Sequence, residues 1–263
     1  MNRTHRSALR CVLLGVVVVL WASCSDSQEA LRVELPVVAD GNGLHEVTTD
    51  QGYTIEITAM RVALTGLEFT TSGEAHLAWW SPSRWLMGVA YAHPGHYAGG
   101  EIIGELPGRY VVDLVEGSGV ELGVATLLEG DYNGANFTFA QAGMDDGLEP
   151  SDPLMGHSVW LEGVARRDGQ TVAFTATIDQ DDDRQVVGAP LELELSQGME
   201  VMLGFQLLPQ DPATGATLFD GIDFASLDSD SLGHITLEGE APDANRLRRA
   251  LQTHDFYNIA VLP

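Results

Sequence analysis

The sequence predicts a mainly β protein, an antiparallel β-sandwich of about ten or more strands with one short C-terminal helix. Short segments in which apolar and polar residues alternate recur along most of the chain, the pattern of strands with one buried face. Turns rich in glycine, proline and aspartate separate these segments. Evenly spaced short strands of this kind are typical of a β-sandwich. The alternative is two smaller β domains that meet at the acidic loop 144–152.

The first half of the chain contains the longest alternating run. Residues 31–35 form the first predicted strand, and Asp40-Gly41-Asn42-Gly43 forms a turn after it. Alternation over residues 53–70 predicts two strands that meet at a bulge or tight bend near Ala59 and Met60.

The second half contains further strands and the helix. Strands are predicted at residues 109–114, 120–128, 136–139, 158–164, 171–178, 191–195 and 201–208. Residues 130–134 form a predicted turn, and Asp168-Gly169 predicts a tight hairpin between two of the strands. The only predicted helix covers residues 244–252, with Asp243 as its N-cap and Leu247 and Leu251 on one face.

The first 24 residues have the features of a bacterial lipoprotein signal peptide. Three arginines and no acid precede an apolar run over residues 11–20, which is about half the length of a membrane-spanning helix. The residues Ala22-Ser23-Cys24 then resemble a lipobox, in which the cysteine is acylated and becomes the new N-terminus. We therefore expect residues 1–23 to be the signal peptide, 24–30 a tether and 31–263 the β-sandwich domain. The alternative is an ordinary secreted protein cut near Ser23.

The lipoprotein interpretation also predicts the compartment. Ser25 follows the acylated cysteine, which by analogy with Gram-negative sorting favours the outer membrane. We expect an outer-membrane lipoprotein that faces the periplasm or the cell surface, with the membrane as its partner through the N-terminal lipid. The sequence does not identify a protein partner. Because Cys11 leaves with the signal and Cys24 carries lipid, the mature domain has no free thiol and no disulfide.

The charge of the chain excludes one class of partner. The formal net charge is −25, and lysine is absent. Loss of the three signal-peptide arginines leaves 10 − 38 = −28 for the mature chain. Nucleic acid is therefore excluded as a partner, because phosphate contacts need a basic face. An acidic surface of this kind keeps a protein soluble in high salt, so adaptation to a saline habitat explains it as well as any function does.

A histidine turn is the main candidate for chemistry. In His93-Pro94-Gly95-His96 the Pro-Gly pair predicts a tight turn that lets both imidazoles converge on one point, as ligands of copper or zinc do. Two imidazoles make a modest site, so His157, Met155 and His45 are the candidates for further metal ligands. The alternative is an interaction or structural lipoprotein whose histidines are incidental.

The remaining motifs do not indicate catalysis. The chain contains no nucleophile elbow, no glycine-rich phosphate loop and no zinc-protease helix, so we expect no enzyme and no catalytic residues. Residues 179–183 and 228–235 have the alternating carboxylates of calcium loops but lack required positions. We interpret both as solvated hairpin tips.

Three motifs together carry a family resemblance. Ala92-His93-Pro94-Gly95-His96, the run Asp152 to His157, and Phe219-Asp220-Gly221-Ile222-Asp223-Phe224 follow the long strand pair 52–69. In this order they resemble a group of uncharacterised bacterial β-sandwich lipoproteins, which are distantly similar to the periplasmic copper-associated proteins of methanobactin loci. The resemblance implies a periplasmic, metal-related binding role without an assigned reaction.

Overall fold

A computed structural model describes residues 31–71, 100–181 and 184–263. The prediction of a mainly β protein is confirmed, with twelve strands in one mixed sheet. The strands are β1 (Arg32–Ala39), β2 (Val47–Thr48), β3 (Thr54–Thr70), β4 (Ile102–Asp113), β5 (Glu121–Leu128), β6 (Gly130–Phe139), β7 (Val159–Arg167), β8 (Gln170–Ile178), β9 (Gln185–Leu195), β10 (Met202–Leu207), β11 (Ile235–Glu238) and β12 (Tyr257–Leu262). The α-helix of the described residues, α1, spans Pro242–Leu251 and lies near the C-terminus as predicted.

Most of the sheet closes on itself. The strands β3-β4-β5-β1-β10-β12-β9-β6 are hydrogen-bonded neighbours in that order, and β6 pairs again with β3. These pairings form a closed ring of eight strands. Because β3 is 17 residues long, its first half extends beyond the ring and pairs with β7, which continues to β8 and β11. Residues Arg32–Pro263 form one compact unit.

The predicted antiparallel sandwich is wrong. Three strand pairs are parallel, β1–β10, β8–β11 and β9–β12, and one sheet takes the place of two stacked ones. The physical reason is that alternation fixes which side chains are buried but not which strands pair. The inward face of a closed ring and the inner faces of a sandwich bury the same alternating pattern.

Two register shifts interrupt β3, the strand that belongs to both parts of the sheet. Its predicted break near Ala59 is a register shift against β7 between Ile57 and Ala59, so residues 54–70 form one bulged strand and not two. A second shift falls between Thr65 and Leu67 against both β4 and β6. Gly66 sits in this shift with φ 56°, a left-handed conformation that favours glycine.

Two aromatic clusters fill the interior. In the ring, Phe137 packs edge-on against Phe205 and Tyr257, with ring centroids 5.2 and 4.8 Å apart. Burial raises the pKa of the Tyr257 phenol, whose hydroxyl donates to the Leu251 carbonyl at the end of α1. Beside the ring, Phe174 of β8 packs against Phe224 at 4.9 Å.

The local turn predictions have mixed outcomes. The hairpin between β7 and β8 is confirmed, with Asp168 and Gly169 at φ 52° and 77° as a tight primed turn requires. The predicted turn at 130–134 is wrong, because those residues form the first half of β6 and pair with β9. The predicted N-cap Asp243 instead lies in the first turn of α1, where Arg246 donates to it at 2.7 Å.

The acidic surface is neutralised at only a few points. Ion pairs join arginine to carboxylate at Arg61–Asp152, Arg109–Asp146, Arg166–Glu56, Arg167–Asp223 and Arg246–Asp243. The chain has 38 acids in total, so most carboxylates lack an arginine to offset them. Their mutual repulsion destabilises the compact state.

We therefore expect salt to stabilise the protein. The melting temperature should rise between about 0.01 and 1 M monovalent salt, as the Debye length falls from roughly 30 to 3 Å. Differential scanning calorimetry over a sodium chloride series measures this rise. A flat or falling curve would contradict the prediction and show that the carboxylates are too far apart to repel.

Candidate metal-binding site

His157 lies just before β7, at the open end of the β7–β8 hairpin. Val159 of β7 pairs with Ile178 of β8, so the residues just outside this pair come together. His157 Nδ1 lies 2.6 Å from Asp179 Oδ1, and 37% and 53% of the two side chains are exposed. A carboxylate at one imidazole nitrogen fixes the ring and the tautomer, which leaves Nε2 available as a ligand atom.

Met155 lies in the same tight turn as His157. The Met155 amide donates to the Asp152 carbonyl at 3.0 Å, and the His157 amide donates to the Leu154 carbonyl at 2.9 Å. Both residues precede β7, which begins at Val159, so they lie in a turn and not on a strand. Met155 is half-buried beside the fully buried Leu154.

An arginine of β3 fixes the end of this loop. Arg61 Nη1 donates to both oxygens of Asp152, at 2.9 and 3.0 Å. Asp152 also accepts from the Leu154 amide at 2.9 Å, which places Leu154 against Ala63 in a small apolar cluster. The position of His157 is thus set by contacts to the sheet itself.

A second arginine fixes the start of the loop. Arg109 of β4 bonds both oxygens of Asp146 at 3.0 Å. This bond, with a further one from the Gly143 amide, holds the pKa of Asp146 below its usual range. Because the pKa is lower in the folded state, the pair stabilises the fold at neutral pH. That contribution is lost as the pH falls through the folded-state pKa.

A polar cavity of about 370 Å³ lies beside the His157–Asp179 pair. It is lined by Thr65, Arg109, Gln141, Ser158, Gln180 and Asp181, among others. Ser158 and Gln180 directly follow the pair in sequence, and the Gln180 amide donates to the Ser158 hydroxyl at 3.2 Å. Gln180 Oε1 in turn accepts from Gln252 at 2.7 Å, which ties the cavity wall to the end of α1.

His45 lies far from His157. Val47 of β2 pairs with Ile55 of β3, whereas Val159 of β7 pairs with Val62 on the opposite edge of β3. At about 3.3 Å per residue, the two levels on β3 lie roughly 20 Å apart. The His45 Nδ1 atom contacts the Gly43 carbonyl at 2.9 Å. His45 and His157 therefore cannot ligate the same ion.

Three predicted site residues lie outside the described residues: His93, His96 and the lipidation site Cys24. Within residues 31–71, 100–181 and 184–263, no three His, Cys, Asp or Glu side chains group so as to hold a metal ion. Of the predicted ligands, Met155 and His157 lie in one turn of the described chain.

The Phe219–Phe224 motif, part of the family resemblance, has a structural role. Asp223 accepts from the Tyr53 hydroxyl at 2.6 Å and pairs with Arg167 at 3.2 Å. The Arg167 guanidinium also lies 4.0 Å from the Tyr53 ring centroid. Hydrogen bonds from the Tyr53 hydroxyl and the Ala225 amide, with the charge of Arg167, hold the pKa of Asp223 below its usual range.

The calcium-like loop at 228–235 caps its own turn. The Asp230 carboxylate accepts from the amides of Leu232 and His234 at 2.8 and 2.9 Å. These bonds hold the pKa of Asp230 below its usual range. His234 Nε2 lies 2.8 Å from the Thr175 hydroxyl, so this hairpin docks on β8.

Comparison with known proteins adds no family. No protein-family model, curated protein or solved structure matches the chain. The resemblance to bacterial β-sandwich lipoproteins therefore stays a hypothesis based on motifs. In the described part of the chain, no helix has the length and apolar character to cross a membrane.

The Asp168-Gly169 turn indicates from the sequence alone that Asp179 lies near His157, a neighbour that the sequence analysis did not predict. The Asp168-Gly169 turn fixes the pairing of β7 with β8, and the residues at equal distances from it face each other. The centre of the turn lies between Asp168 and Gly169, so counting outward pairs residue 157 with 180 and residue 158 with 179. His157 and Asp179 are therefore diagonal neighbours just beyond the last strand pair, and this proximity can be counted from the turn.

Proposed function

We propose that this chain is a lipid-anchored protein of the periplasm or cell surface that binds a transition metal, copper or zinc, with His157 as one ligand. The observation that carries the proposal is the 2.6 Å contact between His157 Nδ1 and Asp179. Histidines that ligate metals commonly hold a carboxylate at their other nitrogen, because the contact orients the ring and makes the ligand atom more basic.

His93 and His96 are the proposed partners of His157. Described chain resumes at Gly100, where the Thr71 amide donates to the Glu101 carbonyl. The β3 level of His157 is near Ala63, which is roughly 25 Å along the strand from Thr71. The predicted tight turn keeps His93 beside His96, and an extended chain reaches back from Gly100 to His96 by at most roughly 14 Å. The side chains of His93, His96 and His157 would have to span the remaining distance.

Met155 supplies a reason to consider copper. A thioether is a soft ligand that suits copper(I), and Met155 shares the turn of His157. Zinc would instead be favoured if three imidazoles bind without the thioether. Replacing Met155 with leucine separates these two cases, because the volume is similar and only the sulfur is lost.

A second candidate function is an interaction lipoprotein without metal. It is favoured by one observation: each of the four histidines in the described part of the chain has an intramolecular partner. The partners are the Gly43 carbonyl for His45, Asp179 for His157, Thr175 for His234 and Asp255 for His254.

Calorimetric titration of the metal-free protein tests the proposal. At about pH 7.5, copper and zinc should bind, and affinity should weaken at about pH 5.5, below the ordinary imidazole pKa of about 6.5. Asp179→Asn should weaken binding by about 10–100-fold, as loss of an outer-shell carboxylate does. His157→Ala should weaken it at least as much, and so should the double change of His93→Ala with His96→Ala.

His45→Ala is the matched control. It removes a histidine whose Nδ1 is also occupied, but roughly 20 Å from the site. Its affinity should equal that of the wild type. If the wild type binds neither metal more tightly than about 0.1 mM, the metal-binding proposal is wrong and the histidines are incidental. If His157→Ala binds as the wild type does, His157 is not a ligand.

A further inference from the structure

The start of β1 and several exposed apolar side chains lie at the same end of the ring. Because β4 runs parallel to β1, and β5 and β12 run opposite to it, Arg32, Ile102, Leu128 and Leu262 all lie at the same end. We call this the basal end. Ile102 is 51% exposed and Val261 is 39% exposed, although both are β-branched residues of regular strands.

A groove of about 260 Å³ opens at the basal end between β1, β4 and β5. It arises because β4 and β5 pair only at Gly104–Leu127 and Glu105–Thr126, so the first residues of β4 have no partner on that edge. Its lining combines five apolar or weakly polar side chains with the acidic Glu105: the five are Ile102, Ile103, Thr126, Leu127 and Leu128. Arg32 is the cationic residue of this lining.

The tether limits how far the basal end can lie from a membrane. Eight residues lead from the proposed acylation site Cys24 to Arg32, the first residue of β1. An extended chain of that length spans at most roughly 27 Å. Since β1 starts at the basal end, the lipid would hold that end within about a domain's width of the bilayer surface.

Side-chain chemistry at the basal end fits a lipid surface. Exposed Ile102 and the groove present apolar area, and an arginine beside apolar residues can extend its guanidinium to headgroup phosphate. Glu101 and Glu105 flank Ile102 and are exposed, so an anionic surface is disfavoured and a zwitterionic one fits.

From this convergence we propose that the basal end, with Ile102 at its contact point, rests on the zwitterionic lipid surface in which the protein is anchored. The inference rests on the lipid anchor of the proposed function and adds the orientation of the domain. Its consequence is that the opposite end of the sheet points away from the membrane. Leu232, which is 91% exposed, precedes β11 at that opposite end.

The absence of free thiols expected in the mature chain allows a direct test. Ile102→Cys and Leu232→Cys are made separately in the full-length protein, which is processed in its host and reconstituted in phosphatidylcholine vesicles. Each thiol carries a bimane fluorophore, and the vesicles contain nitroxide-labelled lipid as quencher. Both sites are exposed, and the register places them roughly 40 Å of strand path apart, so they form a matched pair.

Both variants should float with the vesicles, and quenching at position 102 should exceed that at position 232 at least threefold. Replacing part of the lipid with phosphatidylglycerol should reduce the quenching at 102. Flotation with equal quenching would overturn the orientation alone. Absence of flotation would overturn the anchor and the orientation together. The fluorescence at position 102 could instead change without nitroxide and in proportion to the protein density on the vesicles. That result would overturn the inference and show that the basal end contacts a second copy of the chain.

Discussion

Replacing Phe137 with alanine should lower the free energy of unfolding by about 3–5 kcal/mol. Phe137 is 1% exposed and lies at the centre of the ring core, against Phe205, Tyr257 and Phe139. Removing the ring leaves a cavity that neighbouring strands cannot fill, because each is hydrogen-bonded on both sides in the closed sheet. Urea denaturation followed by tryptophan fluorescence measures the change.

Leu232→Ala is the control for this prediction. Leu232 is 91% exposed at the tip of a hairpin, so its loss should change the free energy of unfolding by less than about 0.5 kcal/mol. An effect below about 1 kcal/mol for Phe137→Ala would contradict the ring, since side chains at the centre of a closed sheet cannot be truncated at so small a cost.

Changing Cys24 to serine should move the protein completely from the membrane fraction to the soluble fraction. An acylated N-terminal cysteine carries two chains through its diacylglycerol, and two chains are what stable anchoring requires. The chain has no lysine and a formal net charge of −25, so it has no polybasic surface to replace them. Fractionation of the native host, followed by immunodetection in pellet and supernatant, measures the distribution.

Cys11→Ser is the matched control, because Cys11 lies inside the proposed signal peptide. This variant should stay in the membrane pellet in the same proportion as the wild type. A wild-type protein found in the soluble fraction would contradict the lipobox interpretation and favour a secreted protein cut near Ser23.

Local pattern was sufficient for much of the fold. Alternation over residues 171–178 and the Asp-Gly turn before it are properties of neighbouring residues, so they predict the β7–β8 hairpin correctly. The same is true of α1, where Leu247 and Leu251 lie one turn apart and are fully buried. The twofold alternation also identifies Phe137 as an inward residue before any partner is known.

The closure of the sheet depended on tertiary contacts. The pairing of β6 with both β3 and β9 joins segments that are distant in sequence, and nothing in the alternation of residues 130–139 names those partners. The prediction of a turn at residues 130–134 was wrong for the same reason. Its glycines and aspartate suit a turn, but pairing with β9 on one side and with the end of β3 on the other keeps this stretch extended.

For the candidate site too, some features follow from the sequence and others only from the tertiary structure. The sequence by itself determined the extreme acidity, the absence of lysine and the turn chemistry of the chain, because these follow from residue types and their neighbours. Only the tertiary structure decided that the His157 ring contacts the Asp179 carboxylate, beyond the proximity set by the hairpin turn, and that His45 lies roughly 20 Å away. The reason is that residue type sets what a side chain can bind, whereas strand register sets which side chains share a point in space.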